Sequence, residues 1–307
     1  MKIHFQVETD KPMLYYGDET RYSSMTSVAL ITNKLLACAS YCMSQLYLVE
    51  FDLPTQTSTI LETLDTVAGP SDLLVFREKN GNHELITSDF ENSSISLYEI
   101  IGSKLCYRKT ISNTACGPCH GISYYPYDDD VIVFTTSGTK NPLCGVYAIN
   151  TNNSQIFFGL INEGWLGKDV TFVNENIMVA LFCNSAPNPM IKRYYDSKIV
   201  VYQVDLKGNR SLKLTELVIK RHHGDSCKYK GGKLYVTLQN ADTQTGKVLV
   251  LDVDNITGML TQVTELQNYS FPHGVDVYNN MIAVSEYGTS TIDIRPLLPS
   301  LLLADTF

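Results

Sequence analysis

The chain is written in short apolar or alternating runs cut by turn residues, and no window sustains the period of an amphipathic helix. Residues 224–229, 233–239, 247–253 and 259–266 show the pattern most plainly and read as four strands. The glycines of 230–232 and the Asp/Asn/Gly content of 254–258 supply the turns between them. The same four-run unit recurs six times. Its copies begin TSVALITNKLLACASY at Thr26, DLLVFREKNGNHELITSDF at Asp72, HGISYYPYDDDVIVFTTSG at His120, DVTFVNENIMVALFCN at Asp169, HGDSCKYKGGKLYVTLQN at His223 and HGVDVYNNMIAVSEYG at His273. Third-strand runs in the other copies read QLYLVEFD, SSISLYEI, GVYAIN, KIVVYQVD and STIDIRPL.

A period of roughly 50 residues is that of propellers and solenoids. Four-stranded units repeated radially are propeller blades, so the sequence predicts an all-β, six-bladed β-propeller of four-stranded antiparallel blades. The sixth copy has only three clear strands, ending near Arg295-Pro296. Residues 2–8 (KIHFQVE) alternate as a strand should and are expected to close the ring as the N-terminal strand of the last blade, with the tail 297–307 as the competing candidate. No Pro/Gly/Ser-rich linker divides residues 1–307, so one domain is expected.

In a propeller the innermost strand of each blade lines the central channel. The six copies place Thr26, Asp72, His120, Asp169, His223 and His273 in one aligned position, expected near one mouth of that channel. The chain has only six histidines, and three of them fall here. Packing alone does not select ionisable groups, which are costly to bury unless paired. Strand ends on the same face add Tyr41, Asp89, Ser137, Asn184, Gln239, Asn240, Glu286 and Tyr287.

Imidazoles with carboxylates suit a divalent metal such as Zn, Fe, Mn or Mg, with Asp72, Asp169, His120, His223 and His273 as candidate ligands. Without a metal, the same histidines are candidate acid/base groups. Thr26, Asp89, Asn184, Arg193, Tyr194, Gln239 and Tyr287 are candidate substrate contacts. Arg193 and Tyr194 belong to the long loop 184–197, which is placed to overhang the ring. Trp165, the only tryptophan, reads as a residue packed between blades.

A net charge of −8 and a pI near 5.2 argue against a nucleic-acid footprint. No apolar stretch approaches the ~18 residues of a membrane span, and the N-terminus lacks an apolar signal core, so a cytoplasmic location is expected. In that setting most of the eight cysteines read as small buried apolar residues. Cys116-Gly-Pro-Cys119-His120 matches the haem-attachment pattern, but it is better read as a Gly-Pro turn before an inner strand, because Gly69-Pro70-Ser71-Asp72 has the same shape one copy earlier. No haem is expected.

KLYVTLQNADTQTGKVLVLDVDNITGMLTQVTEL, FPHGVDVYNNMIAVSEYGTSTIDI and GPCHGISYYPYDDDVIVFTTSG resemble repeats of the lactonase-type propellers, the group of 6-phosphogluconolactonase-like and muconate-cyclising enzymes. PHGV with a glutamate 13 residues after its histidine (His273 and Glu286) is also similar to the arrangement in streptogramin lyase propellers, where a histidine acts in metal-assisted ring opening. The resemblance implies ring opening or closing of a lactone-like or other cyclic small molecule. It makes His273 the general base or acid and Glu286 a metal ligand or orienter, with His120 and His223 beside them. Those families usually have seven blades, whereas this sequence repeats six times. The alternative is a non-catalytic propeller presenting the same face to a protein or glycan partner, because one fold hosts many roles.

Overall fold

The computed structural model describes residues 1–5, 25–66, 69–79, 81–112, 117–137, 145–161, 165–184, 196–240, 243, 245–297 and 301. Among the described residues twenty-four strands form six four-stranded antiparallel sheets, each one blade. The inner strands, in chain order, are Met25–Leu30, Pro70–Lys79, Cys119–Tyr124, Leu166–Asn174, His223–Lys230 and Pro272–Tyr278.

Ring closure follows the sequence expectation, of whose residues 2–8 the first four lie among the described residues. Lys2–His4 pairs antiparallel with Thr291–Pro296 through Lys2 to Asp293, Ile3 to Ile292 and His4 to Thr291, completing blade six. Lys2 Nζ also lies 2.6 Å from the buried Glu286 carboxylate of the same blade. Of the tail 297–307 only Leu297 and Leu301 are described, and they pack between blades five and six.

Strand alternation explains why the second strands are almost wholly apolar. In Ile177–Asn184, Met178, Ala180 and Phe182 face blade three, while Ile177, Val179 and Leu181 face blade five. A strand buried on both faces reads as a continuous apolar run rather than an alternating one. Every seam between neighbouring blades has its own cluster, including the closing seam, where Val28 and Tyr47 of blade one meet Ile3, Ala283, Ile292 and Ile294 of blade six. Trp165 packs against the seam of blades three and four, with Lys198 Nζ 4.7 Å from its ring centre, in keeping with the packing role expected of it.

Candidate functional site

Each inner strand breaks register at the same level, and those of blades two and four break it again farther along, at Val75/Arg77 and Phe172/Asn174. Met25 pairs with Ser40 and Ser27 with Ala39, so Thr26 is an extra residue, as Ser71 is between Pro70 and Asp72 and Lys168 between Gly167 and Asp169. In blades three, five and six the ladder jumps from Cys119 to Ile122, from Gly224 to Cys227 and from Pro272 to Val275. A bulge re-aims the side chain it carries. Matching the six breaks puts Thr26, Ser71, His120, Lys168, Asp225 and His273 in equivalent places. The aligned letters therefore need correcting in three blades: Ser71 replaces Asp72, Lys168 replaces Asp169, and Asp225 replaces His223.

Four of these residues meet. Asp225 Oδ1 lies 3.1 Å from Lys168 Nζ, 3.7 Å from His120 Nε2 and 3.8 Å from His273 Nε2. Lys168 Nζ is also 3.3 Å from His120 Nε2. The His120 and His273 rings, from opposite blades, stack with centroids 5.9 Å apart and planes 16° apart. Each is held by the backbone of the next blade: His120 Nδ1 lies 2.8 Å from the Lys168 carbonyl, and His273 hydrogen-bonds the Thr26 backbone. A carbonyl only accepts, so His120 carries its proton on Nδ1 and leaves the Nε2 lone pair toward Lys168 and Asp225.

The electrostatics divide the histidines. Burial, reinforced by the Lys168 charge, holds His120 well below the ordinary imidazole value. His273 is lowered for the same first reason, with Asp225 opposing and Lys168 assisting. Burial also works against charge on His223, but Asp225 at 2.9 Å and Cys183 outweigh it and raise the group to about 9. Burial would raise Asp225, yet His223, His273 and Lys168 together hold it well below the usual carboxylate range. At neutral pH the cluster thus pairs two neutral imidazoles with the charged Lys168, Asp225 and His223.

Asp72 and Asp169 do not join this cluster. One residue past the bulge, they clasp the next blade: Asp72 Oδ2 accepts Ile122 N–H at 3.0 Å, and Asp169 Oδ2 accepts Cys227 N–H at 2.7 Å. Deeper in the channel Lys228 Nζ bridges them, 2.8 Å from Asp72 and 3.1 Å from Asp169. Blades three and six have glycine at this clasp position. A Cβ on Gly121 would collide with Lys168 O and Asp169 Cα, and one on Gly274 would lie 2.7 Å from Ser27 Cα. The His-Gly pairs of these blades thus combine a channel-facing imidazole with a close inter-blade approach.

The other expected site residues are dispersed. Gln239 touches the cluster, donating from Nε2 to Asp225 Oδ2 at 2.6 Å, while its buried Oε1 has no hydrogen-bond partner. Tyr287 stacks on His273 at 5.6 Å. Thr26 donates its hydroxyl to Pro70 O at 2.9 Å. Asp89 stays within blade two, taking hydrogen bonds from Ser96, Thr87 and Ser94, and burial raises it to about 6. Glu286 is engaged by Lys2, Thr291 and Ser270 N–H at the ring closure. Asn184 is exposed at its strand end, and Arg193 and Tyr194 lie outside the described residues. Lys168, Asp225 and Lys228 were not singled out from sequence. Cys38, Cys119, Cys183 and Cys227 are buried as expected, but Cys183 also contacts His223.

His120, Asp225 and His273 each offer one ligand atom, all within 4.8 Å of one another, and the nitrogen/oxygen set suits Zn, Fe or Mn. Lys168 Nζ approaches two of these three atoms, so its ammonium already supplies positive charge where a metal would sit. Holding a divalent ion there requires moving or neutralising Lys168. The opposite mouth opens into a cavity of about 280 Å³, with Lys228 and Asp276 toward the channel and Tyr124, Tyr229 and Tyr278 among its walls.

No protein-family model and no curated protein matches the sequence. Among solved structures, the fold is similar to hydrazine synthase of Kuenenia stuttgartiensis, with a TM-score of 0.61 at 10% identity over 89% of this chain and 83% of that one. It is also similar to a protein from Lactobacillus plantarum, with a TM-score of 0.60 at 15% identity over 90% and 81%. A third likeness is to the periplasmic gluconolactonase PpgL of Pseudomonas aeruginosa, with a TM-score of 0.56 at 12% identity over 90% and 82%. The class is thus a six-bladed β-propeller with a lactonase among the proteins of similar fold, a likeness that carries fold and not activity.

Proposed function

We propose that the bulge tier is an acid–base site that opens a small cyclic ester by hydrolysis. The observation that carries this reading is the facing pair of neutral imidazoles, His120 and His273, fixed by backbone carbonyls beside the Lys168 ammonium. A neutral imidazole at physiological pH accepts a proton from an attacking water and returns it to the departing ring oxygen. Lys168 is placed to stabilise the negative charge that develops on the carbonyl oxygen, and burial strengthens that interaction. Asp225 keeps the Lys168 charge in position. The atoms balance as one water consumed per ring opened, giving a hydroxy acid.

The gluconolactonase among proteins of similar fold makes lactones the first substrates to try. Hydrolysis of a panel of five- and six-membered lactones, followed by proton release, tests the assignment. His273→Ala and His120→Ala are each expected to reduce turnover by about 100-fold or more, the usual scale of a lost acid–base group. A double variant that hydrolyses the same lactone at the full rate would remove the reading.

A further inference from the structure

Outside the facing histidine pair, the cluster contains a second constellation. Cys183, near the end of the second strand of blade four, places Sγ 3.1 Å from His223 Nδ1. His223 Nε2 lies 2.9 Å from Asp225 Oδ1, and Gln239 secures the other oxygen of that carboxylate at 2.6 Å. Thiol, imidazole and carboxylate thus stand in line across two blades, with both ring nitrogens engaged and the ring orientation fixed. All three residues are buried, where a neutral apolar trio would fold at less cost.

A carboxylate behind an imidazole stabilises its charged form, and an imidazolium beside a thiol stabilises the thiolate. Cys38 and Cys227 are buried thiols that burial pushes well above their ordinary value. His223 turns Nδ1 to the Cys183 sulfur and Nε2 to the Asp225 carboxylate, the arrangement a thiolate–imidazolium pair requires. The charged or titratable groups around this relay are Lys168, His120 and His273, all reached through Asp225.

We propose that Cys183 is the nucleophile of this channel mouth, with His223 as its base and Asp225 as the carboxylate that orients and charges the imidazole, and that it takes up the acyl group of a cyclic ester. The acyl step rests on the lactone reading above. The thiolate attacks the carbonyl carbon and forms a C–S bond. The ring C–O bond breaks, and the ring oxygen leaves as a hydroxyl with the proton that His223 had taken from the thiol. Water, deprotonated at the facing histidines, then attacks the thioester. The hydroxy acid is released, and the proton returns to sulfur. One water enters per ring opened, and no oxidant or reductant is needed.

The first measurement is peptide-resolved iodoacetamide labelling of Cys183 in the folded wild-type protein between about pH 5 and pH 10, where an ordinary thiol gains reactivity near its pKa of ~8.5. Labelling of Cys183 is expected to persist well below that range, and His223→Gln and Asp225→Asn are expected to restore the ordinary profile. A wild-type Cys183 that follows the ordinary profile, or does not label in the folded protein, overturns the relay. The second measurement is acid-quenched mass spectrometry with the best lactone, with an acyl adduct expected on Cys183 and turnover lost in Cys183→Ala. Full turnover in Cys183→Ala overturns the covalent route while leaving the acid–base site standing. Low-pH labelling in a protein that opens no lactone upholds the relay and removes the lactone reading instead.

Discussion

Lys168 holds its ammonium 3.1 Å from Asp225 Oδ1, and the same nitrogen stands 3.3 Å from His120 Nε2. The side chain thus takes up two of the three donors that would otherwise form a small metal site with His273. Replacing it with an uncharged chain of similar length, Lys168→Met, removes the competing charge and leaves all three donors. The variant is expected to bind Zn²⁺ or Co²⁺ at least about tenfold more tightly than wild type, equivalent to ~1.4 kcal/mol or more. Cobalt absorption in the visible range reads this directly. His120→Ala in the same background should abolish the gain, and equal affinity of wild type and Lys168→Met would show that Lys168 does not occupy the site.

The opposed histidine shifts give stability a maximum in pH. His223 is raised to about 9 in the fold, so its contribution is fully present below the unfolded value near 6.5 and is lost as pH rises through about 9. The shift corresponds to roughly 3 kcal/mol. His120 and His273 are lowered, so below about pH 6.5 the unfolded chain binds protons that the fold refuses, and stability falls with acidification. The part of the urea-unfolding profile that these histidines supply, read as the difference between the wild type and a variant with His120, His223 and His273 all replaced by Gln, should peak near pH 6.5. His223→Gln should flatten the alkaline limb, and the double variant His120→Gln/His273→Gln the acid limb. An unchanged alkaline limb in His223→Gln would show that the His223–Asp225 pair is not charged as described.

The glycine beside each channel histidine should be as exacting as the histidine itself. At Gly121 an added methyl meets the backbone of Lys168 and Asp169, which cannot yield without shifting the bulge of blade four. Gly121→Ala is expected to cost about 3 kcal/mol, the upper end of ordinary overpacking. It should also impair the site, because Lys168 moves with that bulge. Gly159→Ala is the control, since its nearest neighbour, the Tyr147 ring, lies at 3.4 Å. Thermal unfolding of the two variants checks the contrast, and equal stability would contradict the close approach.

The fold was legible because six copies of one pattern leave few architectures, and even the closing strand was marked by the alternation beginning at Lys2. The ring was only half legible. Lining up the six repeat copies by sequence alone brought Asp72, Asp169 and His223 into register with His120. The bulge shifts the true equivalents by one residue in blades two and four and by two in blade five. A better ruler was present in the buried apolar residue just beyond the bulge: Val28, Leu73, Ile122, Val170, Cys227 and Val275. Counting back two places from each gives Thr26, Ser71, His120, Lys168, Asp225 and His273, because burial fixes register more firmly than charge does. The Cys183–His223 contact had no such marker, since it joins strands of different blades.

Lys228 sets the last test, because it supplies the ammonium between Asp72 and Asp169 in the middle of the channel. Removing one partner of a buried ionic group leaves the rest uncompensated, typically at about 3–5 kcal/mol. Lys228→Met should therefore be strongly destabilised although methionine fills much of the same volume. Burial, opposed by Lys228, raises Asp169 to about 7, so its protonated form favours the fold: that stability is fully present below the unfolded value near 3.9 and is lost as pH rises through about 7. Removing the ammonium removes the charge that lowers Asp169, so the loss in Lys228→Met should be larger at pH 8 than at pH 5. Asp169→Asn in the same background should recover part of it, because the neutral amide cannot repel Asp72. Denaturant melts of the single and double variants at both pH values decide the matter: a loss independent of pH and unrelieved by Asp169→Asn would mean that Lys228 matters through its packing rather than its charge.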